Sequence, residues 1–227
     1  MKSIAIITAR GGSKRIPKKN IKEFYGKPII AYSIEAAIKS KLFDVVMVST
    51  DSEEIAETAR EYGAEVPFLR SEKTSDDFAT TNDVLEEVLD RYSEKGITFD
   101  IMACIYPTAP FVNTSRLKEA YTLLKDDNNT SVMTVTQYSF PPQRGLVIKN
   151  GKMIYREEEY RLTRSQDLEP IYHDAGQFYF YRIIGNRFVD GNYAAVILSE
   201  AEVQDIDNIS DWKIAELKYK LLNERGE

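Results

Sequence analysis

The sequence predicts an α/β fold: a Rossmann-like, mostly parallel sheet covered by helices on both faces, with a small β-hairpin excursion. Three observations predict it. Short apolar, β-branched runs alternate with segments of helical spacing between residues 3 and 136, which implies right-handed crossovers between parallel strands. The 227 residues, 43% of them hydrophobic, suffice for one substantial core but not comfortably for two. Asn150-Gly151 between two short runs is a two-residue hairpin signal that breaks the alternation. The expected organisation is a single domain over residues 1–227, with an excursion at about 138–171 serving as a lid or a dimer contact.

Ser3–Thr8 reads as a buried strand, and residues 28–40 as a helix with Ile30, Ile34, Ala37 and Ile38 on one side. Residues 45–50 are a second buried strand, 52–62 a helix ending at Gly63, and 65–69 a short strand. A helix follows at 80–92 with Val84, Leu85, Val88 and Leu89 as its apolar stripe, then a strand at 100–105. A helix near 115–125 and a strand at 131–136 complete the alternating part. Leu146–Lys149 and Lys152–Tyr155 flank the hairpin turn, while the acidic run 157–159 and the polar stretch beyond lack core periodicity. Strands return at 178–181 and Tyr193–Leu198, and the last helix is expected near Ser210, with Ser210 as N-cap and Asp211 in the first turn.

Composition excludes several classes. No run of about 18 apolar residues is present, so no membrane span is expected. The N-terminal apolar run is short and soon charged, unlike a secretory signal. Cys104 is the only cysteine, which rules out an intrachain disulfide and a thiolate zinc site. A soluble, cytoplasmic protein is expected. The net charge of −6 argues against nucleic-acid binding. Yet residues 10–27 hold seven bases (Arg10, Lys14, Arg15, Lys18, Lys19, Lys22, Lys27) against the single acid Glu23. A local cationic patch on an acidic protein suits a small polyanion.

That patch follows directly on the first strand, as Ala9-Arg10-Gly11-Gly12-Ser13-Lys14-Arg15-Ile16-Pro17-Lys18-Lys19-Asn20. Ligands of open parallel sheets gather outside the carboxyl ends of the strands. Gly11 and Gly12 let backbone amides approach an anion, and Arg10, Lys14 and Lys19 offset the charge of a triphosphate and of departing pyrophosphate. The spacing is neither that of a P-loop nor that of a dinucleotide fingerprint. A solvated basic loop is the plain alternative, and the paired glycines at a strand end argue against it.

Asp205-Ile206-Asp207 lies just ahead of the last helix. In an extended segment both carboxylates share one face while Ile206 points to the core. Such a pair suits Mg²⁺, which shares its shell with water and phosphate oxygens. The same residues also read as a turn and helix cap. Thr50-Asp51, Arg70, Thr80-Thr81 and Tyr106-Pro107-Thr108-Ala109-Pro110 are all expected at the strand edge that carries the basic loop.

The segments ITARGGSKRIPKKN, VSTDSEEIAETAREYGA, YPTAPF and QDIDNISDWKIAE, in that order, resemble the acylneuraminate cytidylyltransferases, the CMP-sialic acid synthetases. The likeness covers most of the chain and is specific in combination. It implies a cytosolic homodimeric nucleotidyltransferase that uses CTP and Mg²⁺. It also implies that Arg10, Ser13, Lys14, Lys19 and Asn20 hold the triphosphate, that Thr81, Pro107 and Thr108 hold the nucleoside, and that Asp205 and Asp207 serve the metal. Two positions depart from the sialic acid pattern: Tyr106 stands where Gln is usual, and His173-Asp174-Ala175-Gly176-Gln177-Phe178-Tyr179 where an Asn-Gly pair is usual. The second departure resembles the branch that activates pseudaminic acid in bacteria that decorate flagella or surface glycans.

Tyr106, Asp174, Gln177 and Tyr179 are therefore candidates for sugar contacts, and Arg164 is a candidate partner for the sugar carboxylate by charge. His173, the only histidine, reads equally as a base and as a structural residue. The expected reaction is attack by the anomeric hydroxyl of an acidic nonulosonate on the α-phosphorus of CTP, with no covalent enzyme intermediate. Legionaminic or N-acetylneuraminic acid are alternative substrates. A nucleotide-sugar glycosyltransferase and a non-catalytic CTP-binding protein are the alternatives of other classes.

Overall fold

The computed structural model describes residues 1–76 and 78–224. Its strands are β1 (Ser3–Thr8), β2 (Glu23–Phe24), β3 (Lys27–Pro28), β4 (Val45–Ser49), β5 (Ile101–Ile105), β6 (Ser131–Gln137), β7 (Leu146–Lys149), β8 (Lys152–Tyr155), β9 (Tyr172–Ile184), β10 (Arg187–Phe188) and β11 (Tyr193–Leu198). The helices are α1 (Ile29–Ser40), α2 (Glu53–Glu61), α3 (Thr81–Ser93), α4 (Thr114–Leu124) and α5 (Ile209–Glu224). The main sheet has the order β11-β6-β9-β5-β1-β4, with β10 paired to β9. β1 runs parallel to β4 and β5, and β11 parallel to β6. β9 is antiparallel to both its neighbours. The fold class is therefore the α/β, mostly parallel sheet expected.

The period of two along β1 divides the core between the sheet's faces. Ala5 and Ile7 pack with Ile30 and Ile34 of α1 and with Leu117 and Ala120 of α4. Ile4 and Ile6 pack on the other face with Leu85, Val88, Leu89 and Tyr92 of α3. Cys104 lies in the second layer, where burial pushes its thiol up to about 12, so it stays protonated.

A third cluster matters most for function. Ile16 of the basic loop and Ile206 of the acidic segment are both 1% exposed and pack with Phe24, Ile29, Tyr32, Phe111, Trp212 and Ala215. Phe24 meets Tyr32, Trp212 and Tyr219 edge-on at 5.5–5.6 Å. Burial of two isoleucines from opposite ends of the chain thus brings their charged neighbours together.

Two expected elements differ. Residues 65–69 do not form a strand: Glu65 alone bridges Met47, and the chain touches the edge again only where the Arg70 amide donates to the Thr50 carbonyl at 2.8 Å. Pro67, which has no N–H, interrupts the ladder between them. The last helix is capped by Asn208 rather than Ser210: Asn208 Oδ1 accepts from the amides of Ser210 and Asp211 at 2.8 and 3.1 Å. The hairpin is as expected, with positive φ at both Asn150 and Gly151, the requirement of a type I′ turn. The excursion closes at its base, where the Tyr138 amide donates to Ile171 and Gln143 Nε2 to the Glu169 carbonyl. Among the described residues no helix is long and apolar enough to cross a membrane.

Candidate active site

The basic loop leaves β1 at Ala9, whose amide donates to the Ser49 carbonyl at 2.9 Å and carries the β1–β4 pairing one residue further. Ala9 is fully buried, so it anchors the loop and does not face the ligand space. The Gly11 amide is not open to an anion as expected, because it donates to Asp51 Oδ1 at 2.7 Å. Close approach favours glycine there: a Cβ would come within 3.1 Å of Ser52 Cβ, which would have to give way. Gly12, by contrast, has open space about its Cβ direction. Asn20 is buried and its amide donates to the Arg10 carbonyl at 2.9 Å, which ties the loop's two ends.

These restraints shape a cavity of about 600 Å³, within the usual range for a small-molecule site. Arg10, Ser13, Lys14, Lys19 and Asn20 line one side of it, and Asp207 stands on the same wall. Thr81, Tyr106, Pro107, Thr108 and Arg70 line it as well. Of the strand-end clusters expected on one edge, Arg70, Thr80-Thr81 and Tyr106-Pro107-Thr108 meet at this cavity, whereas Thr50, Asp51, Ala109 and Pro110 do not line it. Arg70 is held by the Ser49 carbonyl at 2.8 Å and Ser49 Oγ at 3.2 Å, and burial lowers its pKa from the ordinary arginine value. Thr80 caps α3 in a capping box with Asp83, which leaves Thr81 at the first helical position facing the cavity.

Opposite charges from the two ends of the chain meet here. Lys19 Nζ donates to the Ile206 carbonyl at 2.7 Å, and Arg15 pairs with Asp207 at 2.7 Å. Burial lowers the Lys19 pKa below the ordinary lysine value, while Asp207 and Asp205 oppose the shift. Asp205 and Asp207 flank the buried Ile206, as the period of two requires, but they serve different spaces. Asp207 lines the first cavity and Asp205 a second one of about 590 Å³. Among the described residues no group of three or more His, Cys, Asp or Glu is placed to hold a metal. An ion on this aspartate pair would therefore complete its shell from phosphate or water, and an all-oxygen donor set fits a hard cation.

The second cavity adjoins the first, and Tyr106 and Thr108 line both. His173, Asp174 and Tyr179 of β9 line it, with Ser139, Lys218 and Asp205. His173 Nδ1 lies 2.9 Å from the Asp174 carbonyl, and its ring packs on Tyr138 with centroids 4.7 Å apart. Two expected sugar contacts lie elsewhere. Gln177 is 4% exposed and its amide donates to the Glu202 carbonyl, so it braces the segment leading to Asp205. Arg164 pairs with Asp167 at 2.7 Å on the exposed excursion and lines neither cavity of its own chain. Arg15, Ser139 and Lys218 were not anticipated as lining residues. Arg15 carried a signal in its charge beside Lys14, whereas Lys218 depends on how α5 docks. A further cavity behind α1 has its cations already paired, Lys27 and Lys39 with Glu35, and Arg116 with Glu119 and Glu202.

Comparison with known proteins gives this geometry a family. A family model of cytidylyltransferases matches residues 4–210. The chain is 40% identical to a pseudaminic acid cytidylyltransferase of Campylobacter jejuni, over 99% of each chain. It is 34% identical to a CMP-N,N'-diacetyllegionaminic acid synthase of Legionella pneumophila, again over 99% of each. In fold it is similar to a CMP:2-keto-3-deoxy-manno-octonic acid synthetase complexed with CTP, with a TM-score of 0.69 and 16% identity across 99% of this chain and 100% of that one. With a family match over most of its length and relatives aligned end to end, the chain belongs to the cytidylyltransferases and is a nucleotidyltransferase.

Proposed function

We propose that this cytidylyltransferase joins CMP from CTP to the anomeric hydroxyl of pseudaminic acid, a nine-carbon acidic sugar, and releases pyrophosphate. The observation that carries the reading is the pair of adjoining cavities, one walled by the basic loop and Asp207, the other by β9 and Asp205, with Tyr106 and Thr108 lining both. The triphosphate lies along Arg10, Ser13, Lys14 and Lys19, and the nucleoside against Thr81, Pro107 and Thr108. The sugar occupies the second cavity beside Tyr106, Asp174 and Tyr179. The 40% identity with the Campylobacter jejuni relative, against 34% with the Legionella pneumophila one and 31% with an N-acylneuraminate cytidylyltransferase, supports pseudaminic acid over legionaminic or N-acetylneuraminic acid.

The chemistry needs an oxygen nucleophile aligned with the α-phosphorus and stabilisation of charge on the leaving group. The nucleophile comes from the sugar, so the chain's work is positioning and electrostatics. Lys19, fixed on the Ile206 carbonyl, and Lys14 and Arg10 beside it offset charge that develops on pyrophosphate. Asp205 and Asp207 would hold Mg²⁺, which when bound neutralises phosphate charge and lowers the pKa of the attacking hydroxyl. A reaction that consumes CTP belongs in the cytoplasm, and the exposed apolar excursion supports a homodimer.

The test is pyrophosphate release from CTP with a panel of nonulosonates, with and without Mg²⁺. Metal-dependent release with pseudaminic acid at the highest kcat/KM is the expected result. CTP binding without turnover on any acidic sugar would instead favour a non-catalytic CTP-binding protein. Asp207→Asn should lower turnover by about 10³-fold or more while CTP affinity stays within a few-fold, as when an interaction made mainly in the transition state is lost. A fully active Asp207→Asn enzyme removes the metal assignment.

A further inference from the structure

A sugar acid of this class carries its carboxylate on the anomeric carbon, beside the hydroxyl that must attack CTP. The second cavity meets that charge with acids of its own, because Asp174, Glu200 and Asp205 all line it. The Asp174 carboxylate accepts from the Tyr179 hydroxyl at 2.5 Å and from the Gly176 amide at 2.8 Å. Glu200 Oε2 accepts from the Ser139 hydroxyl at 2.8 Å. None of these donors is a cation, so the negative charge stays in place. A further carboxylate enters such a cavity only beside a positive group.

Lys218 is the only lysine or arginine among the residues that line this cavity. It follows Asp211 and Ala215 along α5 at the i, i+4, i+7 spacing of one helix face, and Ala215 on that face is fully buried. Docking of this face delivers Lys218 to the cavity. The ammonium is anchored there, donating to the Val203 carbonyl at 2.7 Å and to the Glu200 carbonyl at 3.0 Å. An ammonium has three N–H groups, so one remains. Both partners are neutral, and among the described residues no ion pair takes up the charge. Burial lowers the Lys218 pKa from the ordinary lysine value, with Glu200 opposing the shift.

Position matters as much as charge. Val203 stands two residues before Asp205, so the ammonium is tied to the segment that carries a candidate metal ligand. In the sugar, carboxylate and nucleophilic hydroxyl share one carbon, so the group that holds the first must stand close to where the second reacts. Arg164, paired with Asp167 on the excursion, does not meet that condition within its own chain.

We propose that Lys218 anchors the sugar: its remaining N–H donates to the carboxylate on the anomeric carbon and turns the adjacent hydroxyl toward the α-phosphorus of CTP. This role rests on the function proposed above, and it makes Lys218 the residue that selects acidic sugars over neutral ones.

The experiment compares Lys218→Met and Lys218→Gln with the wild type in the full chain, using pseudaminic acid and its C1 carboxamide. Both variants lose the charge, and Gln keeps an amide donor for the two carbonyls should Met not fold. Pyrophosphate release reads kcat/KM for the acid. Inhibition of that reaction reads the affinity of the carboxamide, which has the sugar's shape without its charge. Loss of a charge-assisted hydrogen bond should lower kcat/KM for the acid about tenfold or more. The inhibition constant of the carboxamide, and the CTP affinity of the sugar-free enzyme, should each stay within about threefold. A fall of less than about threefold overturns the assignment, because the carboxylate is then held elsewhere. A fall matched by equal weakening of the carboxamide or of CTP also overturns it, because Lys218 then only braces residues 200–203. A wild-type chain that releases no pyrophosphate with any nonulosonate overturns the proposed function as well, whereas an active wild type with unaffected variants overturns this assignment alone.

Discussion

Lys19 shows how one side chain serves both the fold and the chemistry. Its ammonium is fixed to the Ile206 carbonyl between two aspartates, and burial lowers its pKa from the ordinary 10.5 despite them. The protonated form is the one that meets a triphosphate, so kcat/KM for CTP should fall as pH rises through that lowered pKa, earlier than an ordinary lysine would allow. Lys19→Arg keeps its charge to higher pH and should move the alkaline limb upward, which a pH–rate profile from 7 to 10.5 measures. An unmoved limb removes Lys19 from the triphosphate site. Unfolding through this group does not mimic the effect. The unfolded lysine binds its proton more tightly, so between the lowered pKa and 10.5 the Lys19 contribution to stability rises with pH. The residue types at this site were readable because they are local: a run of bases after a strand, and two acids with one residue between them. The Gly11 amide was misread because its partner, Asp51, lies 40 positions away.

At the scale of elements, the parallel strands were legible because burial on both faces leaves continuous apolar runs, as in Ser3–Thr8 and Val45–Ser49. β9 was legible only in its Phe178–Tyr181 part, since His173, Asp174, Gly176 and Gln177 interrupt the pattern where the strand bulges beside the site. The sequence reading set the cap of α5 at Ser210, whereas the structure sets it two positions earlier, at Asn208. That choice has consequences. Asn208 caps the helix while Asp211 Oδ2 accepts from the amides of Asn208 and Asp207 at 3.0 and 2.9 Å. The helix end therefore holds the backbone of a candidate metal ligand. Asn208→Ala should cost about 1 kcal/mol, a fall in Tm of about 2–4 °C for a chain of this size. It should lower kcat more than it raises the CTP KM. Ser210→Ala, with no capping role, should leave Tm within about 1 °C. Thermal melts and steady-state kinetics on the two variants separate them, and equal effects would refute the assignment of the cap.

For the whole molecule, the sheet explains why a site can be assembled from residues 8–20, 70–76, 79–81, 106–108 and Asp207: parallel strands deliver their following loops to one edge. What strand order does not explain is the excursion. β7 and β8 pair only with each other, and an isolated two-stranded ribbon is marginal in water. Phe140, Ile148, Met153 and Leu162 on it are 66–90% exposed, a cost that burial against a second copy would remove. Leu146–Lys149 and Lys152–Tyr155 were recognisable as a hairpin from their turn, but nothing local to the sequence says what covers them. The proposed homodimer should run at a mass near twice the 26.0 kDa chain by size exclusion with light scattering. Ile148 and Met153 are directly opposed across the ribbon, so Ile148→Asp with Met153→Lys replaces an apolar cross-strand pair by an ion pair and keeps the hairpin's internal pairing. A stable dimer of this kind hides roughly 1,200 Å² or more of total surface, and opposed charges at its centre should yield a folded monomer. A wild-type chain that runs as a monomer at tens of micromolar would leave the exposed ribbon without its partner and end the dimer proposal.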